Sequence, residues 1–375
     1  MKKTRTILLC LFVIMSSSQI IKAQEVTITL GAGWTWISYP GTDTLDFATA
    51  MGSFIPQEGD MIKSQQGNAG YRNGRWRGQI SHFYPGYGYK YYSTRTTPVI
   101  VTFNTQHVPQ GNAPTGAIDG VFSVSDSTQV YFSQGNLQYQ ASTDTWRFAD
   151  NQWDYVGGDN SNISSTYSGW IDLFGWGTSG WDSGNTYYHP WDSNNSSGSH
   201  YGHLGQCGLT GAYANSDWGV YNPISNGGNT ANTWRTLLKE EWDYVFNTRN
   251  TTSGIRYAKA QVDGVNGVVL LPDDWNTVTY SLSNTNDGEA AYSSNIISVM
   301  QWVALEGAGA VFLPAAGYRF GTSVGDVGSC GYYWSASYFN SSYAYLLSLK
   351  AASLSTGNAS NRSYGRSVRV VCPAE

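Results

Sequence analysis

Short alternations of apolar and polar residues, punctuated by Gly, Asn and Pro, run through most of the chain. VTITL, a turn at Gly31-Ala32-Gly33, and WTWISYP with Trp34, Trp36 and Tyr39 read as two strands. DTLDFATAMGSF reads as one short helix, with Asp43 or Thr44 available as its cap. DMIKSQQ, AGYRNGRWRGQI, GYGYKYYS and VIVTF follow as strands, and Asn73-Gly74 marks a hairpin turn. Residues 25–104 therefore predict a small antiparallel β domain. Arg72, Arg75 and Arg77 cluster around its hairpin and read as a solvated turn. Residues 105–118, TQHVPQGNAPTGAI, carry Pro109 and Pro114 and predict a linker.

Residues 119–375 form the larger unit. GVFSVS and TQVYFSQGNLQYQ open it as strands, and WRFADNQWDYVG leads into a long loop region rich in Trp, Gly, Ser and Asn, up to about Asn232. A loop of that length is unusual. Trp170, Trp176, Trp181, Trp191 and Trp218 are its expected anchors, because buried rings replace missing backbone regularity. The clearest helical pattern is TWRTLLKEEWDYVFNTR, over 233–249. Thr233 is placed to cap it, and Leu237, Leu238, Trp242, Val245 and Phe246 fall on one side. A second helix is expected near Ser293 to Leu305. GVNGVVLLPDDW, AVFLPAAGYRF, YYWSASYF, YAYLLSL and SVRVVC read as strands.

Tyrosines and small polar residues crowd the stretch from Gly331 to Leu349, GYYWSASYFNSSYAYLLSL, which has no acidic residue. In its second strand Tyr343, Tyr345, Leu347 and Leu349 share one face, and Ala344, Leu346 and Ser348 share the other. Neither face is plainly polar. Either one face covers the core while the other is a partly exposed aromatic platform, or the strand is buried on both sides. Tyrosine suits a platform, since it offers contact area with few rotatable bonds and a hydroxyl tip.

The first residues, MKKTRTILLCLFVIMSSSQIIKAQ, combine a basic start with an apolar run too short to span a bilayer. They predict a signal peptide over 1–23 and a secreted or surface-displayed product. Cys10 falls too early in the run for lipidation. The leader takes four of the 21 Lys+Arg and none of the 26 Asp+Glu, so the mature chain carries a formal −9. Such a balance gives no general attraction for nucleic-acid backbone. No later segment has the length of a transmembrane helix. Charged residues are 13% and aromatic residues 15%, a β-rich extracellular composition whose solubility rests on Ser, Thr, Asn, Gln and Gly. Three cysteines remain, Cys207, Cys330 and Cys372, and an odd number cannot pair completely within one chain.

WRTLLKEEWDYVF, VVLLPDDW, AVFLPAAGYR, GYYWSAS and GRSVRVV together resemble secreted Bacteroidetes proteins with a C-type-lectin-like fold, of the Fibrobacter major paralogous domain type. They resemble the formylglycine-generating enzymes more distantly. The resemblance covers roughly 119–373. It implies an α+β C-type-lectin-like domain with long irregular loops, preceded by the small antiparallel β domain. GWTWISYP, MIKSQ and YRNGRWRG resemble a small module of surface proteins in the same bacteria. Some members of the lectin-like group are variable proteins of diversity-generating retroelements. Gly331, Tyr333, Trp334 and Ser335 match the framework entering their variable region, and Arg362, Gly365, Ser367, Val368 and Arg369 the framework leaving it. The resemblance implies ligand-binding positions at Tyr338, Phe339, Asn340, Ser342, Tyr343, Tyr345, Leu347, Asn358, Ser360, Asn361, Ser363 and Tyr364.

Other chemistry has weaker signals. Gly321-Thr322-Ser323-Val324-Gly325 spells the G-x-S-x-G elbow, but DVGSCGYYW after it cannot begin a helix. His200, His203 and Cys207 are zinc-ligand types at no usual spacing. Asp159, Asn160 and Asn162 could offer oxygens to calcium without an EF-hand pattern, so no cofactor is expected and a structural calcium is left open. The Glu-Pro-Asn and Trp-Asn-Asp signatures of calcium-dependent lectins are missing. Cys330 and Cys372 do not reproduce the paired cysteines of the enzyme relatives. The sequence therefore predicts a non-enzymatic binding protein for an extracellular protein or glycan. The alternatives are a structural or adhesive component of a surface assembly and a divergent formylglycine-generating-like enzyme.

Overall fold

A computed structural model describes residues 26–40, 45–52, 54–84, 87–103, 113–181, 188–192, 207–275, 277 and 280–374. The expected leader lies outside these residues, as does most of the expected linker. The chain divides into two compact units, Met1–Val108 and Pro109–Glu375.

In the first unit β1 (Val26–Leu30) pairs with the later β9 (Val99–Phe103). The sheet that follows uses β2 (Gly33–Ser38), β4 (Met61–Ser64), β5 (Gly67–Arg72), β6 (Arg75–Gly78) and β8 (Gly88–Ser93), in the spatial order β2-β8-β4-β5-β6. Short strands β3 (Leu45–Asp46) and β7 (His82–Phe83) pair with each other. Period-two patterning buries Ile37, Ile62, Ala69, Tyr89 and Tyr91 on one side of the large sheet, with Phe47, Phe83 and Phe103. The β5–β6 hairpin turns at Asn73-Gly74, both at positive φ, which Asn and Gly tolerate. The helix is a single turn, α1 (Phe47–Ala50). Asp46 caps it, accepting from the N–H groups of Ala48 and Thr49, while the expected caps Asp43 and Thr44 lie outside the described residues.

The second unit opens with β10 (Ala117–Ser123), β11 (Gln129–Ser133), β12 (Leu137–Gln140) and β13 (Thr145–Phe148). It continues through α2 (Trp218–Tyr221), β14 (Arg235–Thr236) and α3 (Lys239–Asp243) to the hairpin β15 (Tyr257–Val262) and β16 (Val265–Leu270). Then come β17 (Ile296–Ile297), α4 (Val299–Gly307), β18 (Val311–Pro314) and the hairpin β19 (Tyr318–Phe320) and β20 (Ser323–Gly325). The chain closes with β21 (Gly331–Tyr338), β22 (Tyr343–Lys350), β23 (Ser353–Asn361) and β24 (Val370–Pro373). One sheet runs β10-β11-β24-β14, a second β17-β15-β16-β18 and a third β21-β22-β23. The last strand thus returns beside β11, next to the first strand of the unit.

The third sheet is sandwiched between two cores. Trp334, Ala336, Ala344 and Leu346 face Trp146, Phe174, Trp176, Trp218 and Trp234. Tyr333, Leu347 and Leu349 face Phe122, Phe132, Trp242 and Phe246. Of the expected loop anchors, Trp176 and Trp218 are fully buried, while Trp170, Trp181 and Trp191 are half-buried. Trp176 Nε1 donates to the Ser335 carbonyl at 2.7 Å, tying the loop region to β21.

The helix expected over 233–249 starts six residues later. Arg235 and Thr236 are extended and pair with Val371 and Val370 of β24. Buried Asp217 accepts from Thr236 N and Oγ1 at 2.7 and 3.0 Å. Thr233 therefore caps nothing, and Glu241 reaches back to the Leu238 N–H at 2.7 Å instead. A π turn, Tyr244–Thr248, carries the helix on. The second expected helix also begins late, at Val299, where Ser298 and Gln301 form a reciprocal cap.

Candidate functional site

The most ring-rich exposed surface among the predicted positions lies at the β21–β22 hairpin. Its tip is a tight turn. The Asn340 side-chain oxygen accepts from the Ser342 and Tyr343 N–H groups, both at 2.9 Å, and the Phe339 N–H donates to the Tyr343 carbonyl at 2.9 Å. Behind the turn lies the buried guanidinium of Arg362, 4.5 Å over the Trp176 ring. It donates to the carbonyls of Asn340 and Tyr343, and the Arg362 N–H donates to the Ser342 carbonyl at 3.0 Å. Desolvation lowers its pKa to about 10, so it stays charged at neutral pH. Ser335 Oγ donates to the Tyr345 carbonyl at 3.0 Å and accepts from the Ser337 N–H. The Lys239 N–H donates to Ser337 Oγ at 3.0 Å, joining α3 to the base of the hairpin.

On this braced turn Tyr338, Phe339 and Tyr343 stand 37%, 51% and 42% exposed. Tyr345 is half-buried, with Phe339 edge-on at 5.2 Å between ring centroids. Tyr338, Phe339 and Tyr345 line a cleft of about 400 Å³, closed by Leu238 and Glu240 of the α3 region and by Gly208 and Thr210. Among the described residues Glu240 is its one charged lining group. The cleft therefore offers ring faces, hydroxyl tips and a carboxylate at one end, which suits a ligand with a flat apolar face and a hydrogen-bond donor or cation.

The twelve predicted positions do not form one surface. Leu347 is fully buried in the core beside Tyr333 and Leu349, and Ser363 is buried as well. The expected shared face of Tyr343, Tyr345, Leu347 and Leu349 is open only at its tyrosine end, because Phe122, Trp242 and Phe246 cover the rest. Asn358 is exposed on β23. Asn361 spends its side-chain oxygen on Ser363 N and Oγ. Ser360 accepts from Arg366 at 2.9 Å.

Tyr364 belongs to a different cluster. It stacks on Tyr318 at 6.1 Å and meets Phe320 edge-on at 4.8 Å. The buried Arg366 guanidinium lies 5.0, 4.2 and 5.2 Å from the rings of Tyr318, Tyr332 and Tyr364. Tyr332 Oη donates to Asp326 at 3.0 Å. This cage holds the β19–β20 hairpin against the returning chain. Thr210 and Glu240 of the first cleft and Arg366 of the cage had no sequence signal for a site, while Leu238, Tyr318 and Phe320 were read only as helix or strand positions and not as part of a site. They meet the predicted residues only through tertiary packing.

The remaining chemical signals resolve differently. Ser323 sits on an exposed hairpin strand followed by a turn, so it lacks the strand-to-helix setting of an elbow. Asn160 is buried, accepting from the Asp172 and Leu173 N–H groups and donating to Asp172 and the Gly157 carbonyl, which stitches the loop region together. Asp159 and Asn162 are exposed. His200 and His203 lie outside the described residues. Among the described residues no group of three His, Cys, Asp or Glu is placed to hold a metal. Cys207, Cys330 and Cys372 are all free thiols, and burial pushes the Cys372 thiol up to about 12.

A scan of family models, a search of curated proteins and a search of solved structures each return no match to this chain. Among the described residues no helix is long and apolar enough to cross a membrane.

Proposed function

We propose that the chain is a secreted or surface-displayed, non-enzymatic binding protein. Its larger unit is a C-type-lectin-like domain that recognises an extracellular protein or glycan through the cleft at the β21–β22 hairpin. The observation that carries this reading is the combination of exposed rings with a braced backbone. Tyr338, Phe339 and Tyr343 face solvent, yet the turn that presents them is held by Arg362 and Asn340. Rings on a preorganised loop bind with little ordering cost. The return of β24 beside the opening strands of the unit supports the lectin-like reading. Retroelement-driven variation of residues 331–371 is part of the proposal. It rests on the framework match, with Tyr333, Trp334, Ser335, Ser367, Val368 and Arg369 all buried.

The test is capture by the full chain on an array of purified glycans and extracellular proteins. The Tyr338→Ala/Phe339→Ala variant should lose at least tenfold in affinity for any captured ligand while its melting temperature stays within a few degrees. Unchanged capture by the folded variant would move the site elsewhere. Self-association of the wild type, abolished in the variant, would favour the adhesive reading. A reverse transcriptase gene beside an imperfect repeat of the codons for 331–371 is the genomic expectation.

A further inference from the structure

The outer face of the five-stranded sheet in the first unit is aromatic and cationic, and nothing in the reading of the hairpin cleft uses it. Register places Trp34, Tyr92 and Met61 side by side across β2, β8 and β4, in line with Arg77 of β6. The next row is Trp36, Lys90 and Lys63. Trp36 is 74% exposed and Trp34 45%. Lys90 Nζ lies 4.1 Å from the Trp36 ring, and Lys63 Nζ lies 5.6 Å from the Trp34 ring.

Two features mark this face as more than solvated surface. None of the five strands carries an Asp or Glu, and none of Lys63, Lys90 and Arg77 makes a salt bridge among the described residues. The nearby carboxylates are engaged elsewhere: Asp60 is buried and paired with Arg95, and Glu58 accepts from the Asn73 N–H at the hairpin tip. Lys63 and Lys90 are moreover direct cross-strand partners. Like charges in that position destabilise a sheet unless a counter-charge joins them. Beside Trp36 and the two lysines opens a cavity of about 530 Å³. Residues 26–103 hold six Lys/Arg against four Asp/Glu, whereas residues 113–375 hold eleven against twenty-one.

We propose that this face binds an acidic polysaccharide whose sugars carry carboxylates. The Trp rings supply flat surfaces for the C–H faces of pyranose rings, and Lys63, Lys90 and Arg77 reach the uronate oxygens alongside. Five strands at about 4.8 Å spacing make a platform roughly 19 Å across, long enough for several sugars. A membrane is a poorer fit, since the face presents no aliphatic wedge beyond Met61. Nucleic acid, with a phosphate on every nucleotide, meets a unit of small net positive charge within an acidic chain.

The experiment uses the full mature chain with polygalacturonate as probe, measured by titration at low and moderate salt. A neutral glucan, single-stranded DNA and phosphatidylglycerol vesicles are run beside it. Polygalacturonate should bind and weaken as salt rises, with the other three at least tenfold weaker. Trp36→Ala and Lys63→Gln/Lys90→Gln should each cost at least tenfold, and the lysine variant should flatten the salt dependence. All these side chains are at the surface, and a thermal melt of each variant confirms folding. Tyr338→Ala/Phe339→Ala should bind polygalacturonate like the wild type, which separates this site from the hairpin cleft. The proposal is overturned by equal binding of the neutral glucan, by tighter binding of DNA or vesicles, by unchanged binding of the Trp36 and lysine variants, or by loss of binding in the cleft variant.

Discussion

Individual side chains hold the larger unit together at points where backbone regularity runs out. Trp334 Nε1 donates to the Phe174 carbonyl at 2.7 Å, and Trp242 Nε1 donates to the Trp334 carbonyl, so two fully buried rings also stitch chain segments. Truncating either should cost roughly 3–5 kcal/mol through cavity formation and lost hydrogen bonds. Urea unfolding of Trp242→Ala and Trp334→Ala checks this, and a loss under about 1 kcal/mol would contradict the packing. Arginine plays a similar part. Arg249 is fully buried, donating to Asp273 at 2.9 Å and to the carbonyls of Val245, Arg256 and Leu271. Arg249→Ala would remove the cation paired with Asp273 Oδ1, leaving that carboxylate, among the described residues, only its Ser123 and Gln129 donors, and would open a cavity, so it should be at least as costly as the tryptophan truncations. Nothing in the local sequence separates such an arginine from a surface one, because its partners come from three segments of the chain, around 245, 256 and 271–273.

Elements in this protein are short, and tertiary partners set their limits. The 3.6-residue pattern over 233–249 is genuine on the α3 side, where Trp242, Val245 and Phe246 are buried. Its first third is diverted, because β24 offers a strand partner and Asp217 accepts from Thr236. Glu241 then marks the helix start, bonded to the Leu238 N–H and bidentate to Arg235 at 2.6 Å. Glu241→Gln should cost about 1–2 kcal/mol, read as a lower urea midpoint with an unchanged m-value. Strand β10 depends on a different constraint. A Cβ at Gly120 would sit 2.3 Å from the Gly309 carbonyl oxygen, a backbone atom that cannot swing aside. Gly120→Ala should therefore destabilise by about 1–3 kcal/mol, and a neutral result would mean that the two backbones move apart readily. Leu347 shows the same dependence: alternation put it on one face with Tyr345, and only the second core beyond it decided that it is covered.

At the scale of the molecule, two buried carboxylates give stability a pH dependence. Burial raises Asp172 and Asp217 from 3.8 to about 6, against hydrogen bonds from Val156, Asn160, Gly219 and Thr236 that favour the charged form. With a folded pKa above the unfolded one, each native carboxyl holds its proton more tightly than the unfolded chain does. Their contribution is full below about pH 4 and is lost as pH rises through 6, at up to about 1.4 kcal/mol per pH unit for each group. The urea midpoint should therefore fall between pH 4.5 and 6.5, and Asp172→Asn should flatten the slope. A midpoint that rises over this range would show that the hydrogen bonds outweigh desolvation.

What the sequence by itself determined are the features that depend on neighbours along the chain. These are the period-two strands, the Asn73-Gly74 hairpin and the ring-rich stretch after Gly331. A strand's side-chain alternation and a turn's φ preference are local properties, so they survive in any fold that uses them. Tertiary structure alone decided which faces are covered and which distant residues meet. It buried Leu347 and Ser363, drew Tyr364 into the Arg366 cage, and brought Thr210, Leu238 and Glu240 to the Tyr338 cleft. It also aligned Lys63 with Lys90 across two strands that lie 27 residues apart in sequence. Residue type sets a tendency to be buried, but which apolar face is covered and which strands pair are set by segments far apart in the chain, so a single position does not fix them.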